Sequence, residues 1–129
     1  MKQTKALIDG TLVSLNIPET SQEYTEGARA SGESMEESEG YLFRYDVPKK
    51  LGFENTLVPF ELSVLFLQQV ADKQAIVMET EILKKDSAEV ATSHSHYKIA
   101  VELRKDFCDK FRIGTGSIIT LTEQETFDE

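Results

Sequence analysis

Tryptophan is absent from this chain, cysteine occurs once and proline three times. No stretch approaches the ~18 consecutive apolar residues of a membrane-crossing helix. The lone cysteine, Cys108, rules out an intrachain disulfide and suits a reducing compartment, so a cytoplasmic location is expected. Behind Met1-Lys2-Gln3-Thr4-Lys5 there is no apolar segment of the kind a signal peptide carries. Basic residues are scarce: 14 Lys and Arg stand against 23 Asp and Glu, a net charge of -9. Phosphate backbones and anionic lipid surfaces both require clustered Lys and Arg, so neither nucleic acid nor membrane is expected as a partner. There is also no glycine-rich phosphate loop, nucleophile elbow or triad. Gly114-Thr115-Gly116 is short and leads into a strand rather than a helix. No cofactor is expected.

What is present is a core. Of 129 residues, 40% are apolar. A chain of this size buries roughly 65–70% of its unfolded surface, without a metal or disulfide to hold it. Residues 1–122 read as one domain and 123–129 as an acidic tail. The stretch from Gly52 to Leu67 organises the rest. Its second half, Val64-Leu65-Phe66-Leu67, is continuously apolar, which only a buried strand can hide. Pro59 cannot donate to a ladder, so the strand starts at or after it.

Around that strand the chain reads mainly β. Asp9-Gly10 between Lys5–Ile8 and Thr11–Leu15 predicts a hairpin, with Val13 and Leu15 on the face opposite Leu12. Thr20 with Glu23 forms a capping-box pattern for a helix over residues 21–30. Ser31 to Glu39, carrying Glu33, Glu36, Glu37 and Glu39, reads as a mobile acidic loop. Gly40–Tyr45 is a predicted strand closed by a turn over residues 46–50, and Phe60–Leu67 pairs with Ala75–Ile82 across Ala71-Asp72-Lys73. Residues 84–93 read as linker. In the next strand Tyr97, Ile99, Val101 and Leu103 point inward and His96, Lys98 and Glu102 outward. A short helix follows with Phe107, Cys108 and Phe111 on one face, then a turn and a last strand over residues 118–122. The expected fold is a small barrel or strongly curled sheet with two short peripheral helices. Its core includes Leu7, Leu42, Val64, Phe66, Ile76, Ile99, Val101, Leu103, Phe107, Ile119 and Leu121.

Thr20–Gly27, Gly40-Tyr41-Leu42-Phe43, the run Gly52–Glu61, Tyr97–Leu103 and Gly114–Ser117 occur in an order that resembles the domain of unknown function 192 family of small prokaryotic proteins. Asn55-Thr56-Leu57-Val58-Pro59 is the most specific part. The chain departs from the family pattern at Glu54, where a Lys or Arg is usual, and at Phe60-Glu61, in place of Leu-Asp. The leucine and methionine expected after Gly27 are missing, and Gly116-Ser117 replaces Gly-Asp. The resemblance implies a small β-barrel with a few helices and assigns no biochemical role.

For chemistry, Phe53, Glu54, Asn55 and Thr56 are the candidate ligand-binding residues, joining a ring face, a charge, an amide and a hydroxyl ahead of a rigid strand. The same Asn55 and Thr56 suit hydrogen-bonding their own loop, and both readings stay open. His94 and His96 share a strand face but lack a third ligand, so no metal is expected. Cys108, on the apolar face of its helix, reads as a small buried hydrophobe. The expected function is a non-enzymatic binding module for a small ligand or protein, acting through residues 52–59. Two alternatives stand beside it. One is an acidic adaptor or inhibitor, such as a viral protein, acting on a basic partner. The other is a hydrolase using Glu54 or Glu61 as its base.

Overall fold

The apolar runs become nine strands and two α-helices in the computed structural model, which describes residues 1–128. Glu129, the last residue of the predicted acidic tail, lies outside the described residues. Strands β1 (Lys2–Ile8) and β2 (Thr11–Ile17) pair as a hairpin. Asp9 and Gly10 both take positive φ, 48° and 86°, the conformation the Asp-Gly pair predicts. Helix α1 (Ser21–Glu26) starts at Thr20 with both halves of the capping box formed, then tightens into 3₁₀ turns at Gly27–Ala30 and Gly32–Ser34. There follow β3 (Glu39–Lys49), β4 (Gly52–Phe53), β5 (Leu62–Ala71), β6 (Gln74–Leu83), β7 (Ala91–Thr92), β8 (Tyr97–Arg104), α2 (Lys105–Phe111) and β9 (Ile118–Leu121).

Seven strands close in the order β1-β2-β3-β8-β5-β6-β9. Only β2 and β3 run parallel, and α1 with the acidic segment is the crossover that allows it. Closure leaves no unpaired barrel edge. The barrel interior is filled by Ile8, Val13, Leu15, Leu42, Leu65, Leu67, Val77, Ile99, Val101, Leu103, Ile119 and Leu121, with Phe107 and Phe127 closing it. A second apolar layer lies outside the wall, where Phe43, Phe53, Val58, Val64, Phe66 and Leu83 pack with Ala28, Met35 and Leu51. Strand β5 is therefore apolar on both faces, which explains the uninterrupted run from Val64 to Leu67.

That second layer accounts for most departures from the sequence reading. Glu102, expected outward and wet, is only 3% exposed because its outward face lies under the crossover. The acidic segment is folded rather than loose. Met35 enters the outer layer, Glu39 accepts from Asn16 Nδ2 at 2.6 Å and from the Ser31 hydroxyl, and the Arg104 guanidinium donates to the Met35 carbonyl. Of the turn expected over residues 46–50, residues 46–49 instead continue β3. Leu7 and Ile76 are only partly buried, since alternation along β1 and β6 turns them away from the barrel interior, and Phe111 is exposed at the end of α2. The predicted linker contains β7, paired with β4. Residues beyond β9 turn back over the barrel end and bury Phe127 at 2% exposure.

Candidate functional site

Strand register creates a hollow at the barrel mouth. From Gly40 opposite Leu103 to Arg44 opposite Ile99, β3 and β8 pair without interruption. The next pair is Lys49 with Tyr97, five steps along β3 against two along β8. The surplus chain, which includes Pro48 with no amide to donate, must bow away from the wall. The bow opens a cleft of about 720 Å³ at the barrel mouth. Its floor is apolar, made by Leu67, Ile99 and Phe127. Tyr45 and Tyr97 supply ring faces, while Gln68, Gln69, His96, Lys98, Asp46 and Asp128 bring hydrogen-bonding and charged groups to the rim.

One wall of the cleft is fixed by a carboxylate. Glu79 on β6 accepts from the backbone amides of His94 at 2.8 Å and Ser95 at 3.0 Å, and from the Tyr97 hydroxyl. Burial alone would raise the Glu79 carboxyl. The hydrogen bonds from Tyr97, His94 and Ser95 outweigh it and hold the group down to about 2. Burial and the bond to Glu79 push the Tyr97 phenol up to about 12. The Tyr97 ring stacks on Phe66 at 5.6 Å, so it is pinned at its face and at its hydroxyl. Of the two histidines, His94 leans on Glu79 and Glu81 while His96 points to the cleft rim. Among the described residues, no group of three or more His, Cys, Asp or Glu could hold a metal ion.

The loop singled out in the sequence sits elsewhere, between β4 and β5, and none of its four candidates lines this cleft. Phe53 and Asn55, offered by the sequence as ligand contacts, are buried at 9% and 1% exposed. Phe53 packs between Phe43 and Phe66 at ring distances of 5.1 and 6.2 Å. The Asn55 amide donates to the carbonyls of Phe60 at 2.9 Å and Lys84 at 3.0 Å, tying the loop to the 84–92 segment. Its Oδ1 is buried and finds no partner among the described residues. Glu54 is exposed and accepts from the Thr56 hydroxyl. At the tip, Leu57 is 68% exposed with φ 64°, and the Asp86 carboxylate holds its amide at 2.9 Å. A bulky residue in the left-handed region is strained and persists only where its surroundings enforce it.

Two other groups complete the picture. Glu102 is buried beneath the crossover, and its Oε1 accepts from the Ala28 amide at 3.3 Å. Burial raises this carboxyl to about 7, against the lowering effect of the Ala28 amide. Cys108 is buried at 3%, with its thiol pushed up to about 11 chiefly by burial, which makes it a poor nucleophile. Glu61 borders a small hollow with Lys105, Asp106 and Asp109.

The cleft, the Glu79 anchor and the strap that carries Phe127 were not legible as a site in the sequence. Their signals were a proline beyond a predicted strand end and a phenylalanine inside an acidic tail. No helix among the described residues is long and apolar enough to cross a membrane. No curated protein matches this chain. Two solved structures resemble it in fold. One is a Sinorhizobium meliloti 1021 protein provisionally described as a transcription regulator. It is 13% identical, with a TM-score of 0.73 over 93% of this chain and 94% of the other. The second is a protein of unknown function from Novosphingobium aromaticivorans DSM 12444. It is 15% identical, with a TM-score of 0.67 over 91% of this chain and 84% of the other. The model of the DUF192 family, described as an uncharacterized ACR, matches residues 4–121.

Proposed function

This chain belongs to the DUF192 family, and within that uncharacterised family we propose that it is a non-catalytic binding module that takes a small amphipathic ligand at the barrel mouth. One observation carries the reading: a cleft of about 720 Å³ with an apolar floor and convergent polar groups. Binding sites commonly combine roughly 300–1,000 Å³ of mostly apolar lining with a few placed hydrogen-bonding groups, and barrel mouths are a favoured place for them. Lys98 and His96 line the rim together with Asp46 and Asp128, so the cleft beside the Phe127 strap offers a ligand both signs of charge. Tyr45 and Tyr97 suit a flat ring. The non-catalytic reading draws support from the two carboxylates that a hydrolase would use. Glu54 is engaged by Thr56, and Glu61 is exposed just ahead of β5 and does not line the cleft.

The test is a protein-observed NMR screen with small aromatic amides. Hits should shift the amides of Tyr45, Gln68, His96 and Tyr97, and Gln68→Trp should abolish those shifts by filling the cleft. A screen in which no compound perturbs those amides would overturn the reading.

The loop over residues 52–59 supports a second reading, as a protein-docking knob. The observation behind it is Leu57, apolar, exposed and held in the left-handed region. In this reading Glu54, Thr56 and Leu57 meet the partner, while Phe53 and Asn55 act as the internal pins that hold the knob rigid. Pull-down with wild type and Leu57→Ser distinguishes the two. A partner lost only with Leu57→Ser belongs to the knob.

A further inference from the structure

We propose that the barrel mouth is a seat for an extended peptide carrying an aromatic residue flanked by carboxylates, and that residues 123–128 of this chain are its resident occupant; this rests on reading the mouth as a binding site. The segment lies beyond β9 and forms no strand of its own. It is nevertheless held in the way proteins hold peptides, by backbone bonds for affinity and a pocket for one side chain. The Arg44 guanidinium donates to the carbonyls of Thr126 at 2.8 Å and Asp128 at 3.4 Å. The Phe127 amide donates to the Asp72 carbonyl at 2.9 Å, and its ring is buried against the barrel interior. Glu125 pairs with Arg44 at 3.5 Å and Lys2 at 3.3 Å, and the Gln69 amide donates to the Asp128 carboxylate at 3.2 Å.

The charge pattern is selective. In a protein of net charge -9, Lys2 and Arg44 converge on Glu125, so the seat is a local basic spot suited to acidic chain. The cleft adjoins the strap directly, since Phe127 and Asp128 form part of its lining. An incoming peptide therefore has open volume next to the occupied seat, from which it can displace the resident segment stepwise. The strap limits access: peptides of the right pattern must compete with a tethered copy at high effective concentration.

The experiment uses the full chain and a fluorescein-labelled peptide of sequence Glu-Gln-Glu-Thr-Phe-Asp-Glu, followed by anisotropy. Wild type should bind it weakly because the seat is filled. Phe127→Ala should bind at least roughly tenfold more tightly, since the tethered competitor has lost its ring. Adding Arg44→Ala should remove most of that gain, and so should a peptide with alanine in place of its phenylalanine. If Phe127→Ala does not fold, Glu125→Lys/Asp128→Lys loosens the strap without emptying the core and should show the same gain. Failure of a folded loosened variant to bind the peptide overturns the proposal. Binding that is indifferent to Arg44→Ala also overturns it, because the peptide would then only be filling a cavity. Fragment binding at Tyr45 and His96 without peptide exchange would sink the strap and leave the small-ligand reading standing; peptide exchange without fragment binding does the reverse.

Discussion

Gly27 and Glu102 meet so closely that a Cβ on Gly27 would stand 2.9 Å from Glu102 Oε1 and 3.3 Å from the Phe43 ring. Gly27 also takes φ 48°, a conformation that glycine adopts without penalty. The crossover is thus laid directly on a buried carboxyl, which explains why its leading turn tightens into a 3₁₀ geometry there. Glu102 supplies an acceptor for the Ala28 amide, at the cost of burying an ionisable group.

That cost depends on pH. Glu102 has an ordinary value of 4.5 and stands near 7 when folded. A raised value means the folded state holds the proton more tightly. The stability it contributes is therefore complete below about 4.5 and is lost as pH rises through 7. The charged and titratable groups that couple to it include Tyr41 and Tyr45, and both resist ionisation in this range. Glu102→Gln should flatten the alkaline limb, and at pH 8.5 it should be more stable than wild type by up to about 3 kcal/mol. Urea melts at pH 5 and 8.5 check this. An unchanged difference between the two pH values would mean that Glu102 is solvated.

Gly40 is the tighter spot. A Cβ there would lie 2.5 Å from Leu103 Cδ2 and 2.6 Å from the Glu102 carbonyl, between β2 and β8. A backbone oxygen cannot rotate aside, so Gly40→Ala should cost about 3 kcal/mol or more by overpacking. Gly10→Ala and Gly116→Ala, where nothing lies near the added carbon, should cost only the positive-φ strain, about 1 kcal/mol each. Chemical denaturation of the three variants ranks them, and equal costs would show that packing at Gly40 relaxes freely.

Why the fold was readable and the site was not follows from where information sits in the chain. Asp9-Gly10, the capping box at Thr20, the Val64–Leu67 run and the alternation from Tyr97 to Leu103 are local patterns, and each forms the element it predicts. The outer layer is different. Glu102 looked solvent-facing by period two, because nothing local reports that the segment after β2 will lie across it. The cleft is less legible still. It arises from a five-against-two mismatch between strand positions about 50 residues apart, Arg44 with Ile99 and Lys49 with Tyr97, and no local sequence window contains both. At the loop, Phe53 and Asn55 had the residue types of a binding site, but rings at Phe43 and Phe66 and carbonyls at Phe60 and Lys84 claim them.

Tyr97 and Glu79 give a second pH dependence of opposite sign. Glu79 is held near 2 against an ordinary 4.5, so its contribution is present above about 4.5 and disappears as pH falls toward 2. Tyr97→Phe removes one donor and keeps the ring on Phe66. At pH 7 it should cost about 1–2 kcal/mol, the range for a hydrogen bond to a partly exposed charge. At about pH 2 the gap should narrow as Glu79 takes up its proton. A gap that is constant with pH would assign the loss to packing instead.

Asn55 decides whether the loop is a scaffold or a contact. Its amide donates to two carbonyls from different segments, Phe60 and Lys84, and its backbone amide donates to Ser87 at 2.9 Å. Asn55→Asp places an acceptor where two donors are needed and buries a charge, so it should cost more than Asn55→Ala. The alanine leaves two carbonyls unpaired but also removes the orphaned Oδ1, for a net loss of about 2–3 kcal/mol. In both variants hydrogen exchange should quicken first at Leu57 and Asp86, whose amides are held by Asp86 and Val58 across the same junction. Phe53→Ala/Asn55→Ala should therefore loosen the outer layer rather than leave a folded protein with a trimmed surface. Loss of a bound partner in that double variant says nothing about contact by itself. The informative result is the pairing of two measurements on Asn55→Ala. Partner loss with protection at Leu57 and Asp86 intact would make Asn55 a ligand contact, whereas loss of protection with binding retained makes it the pin that its two carbonyl bonds describe.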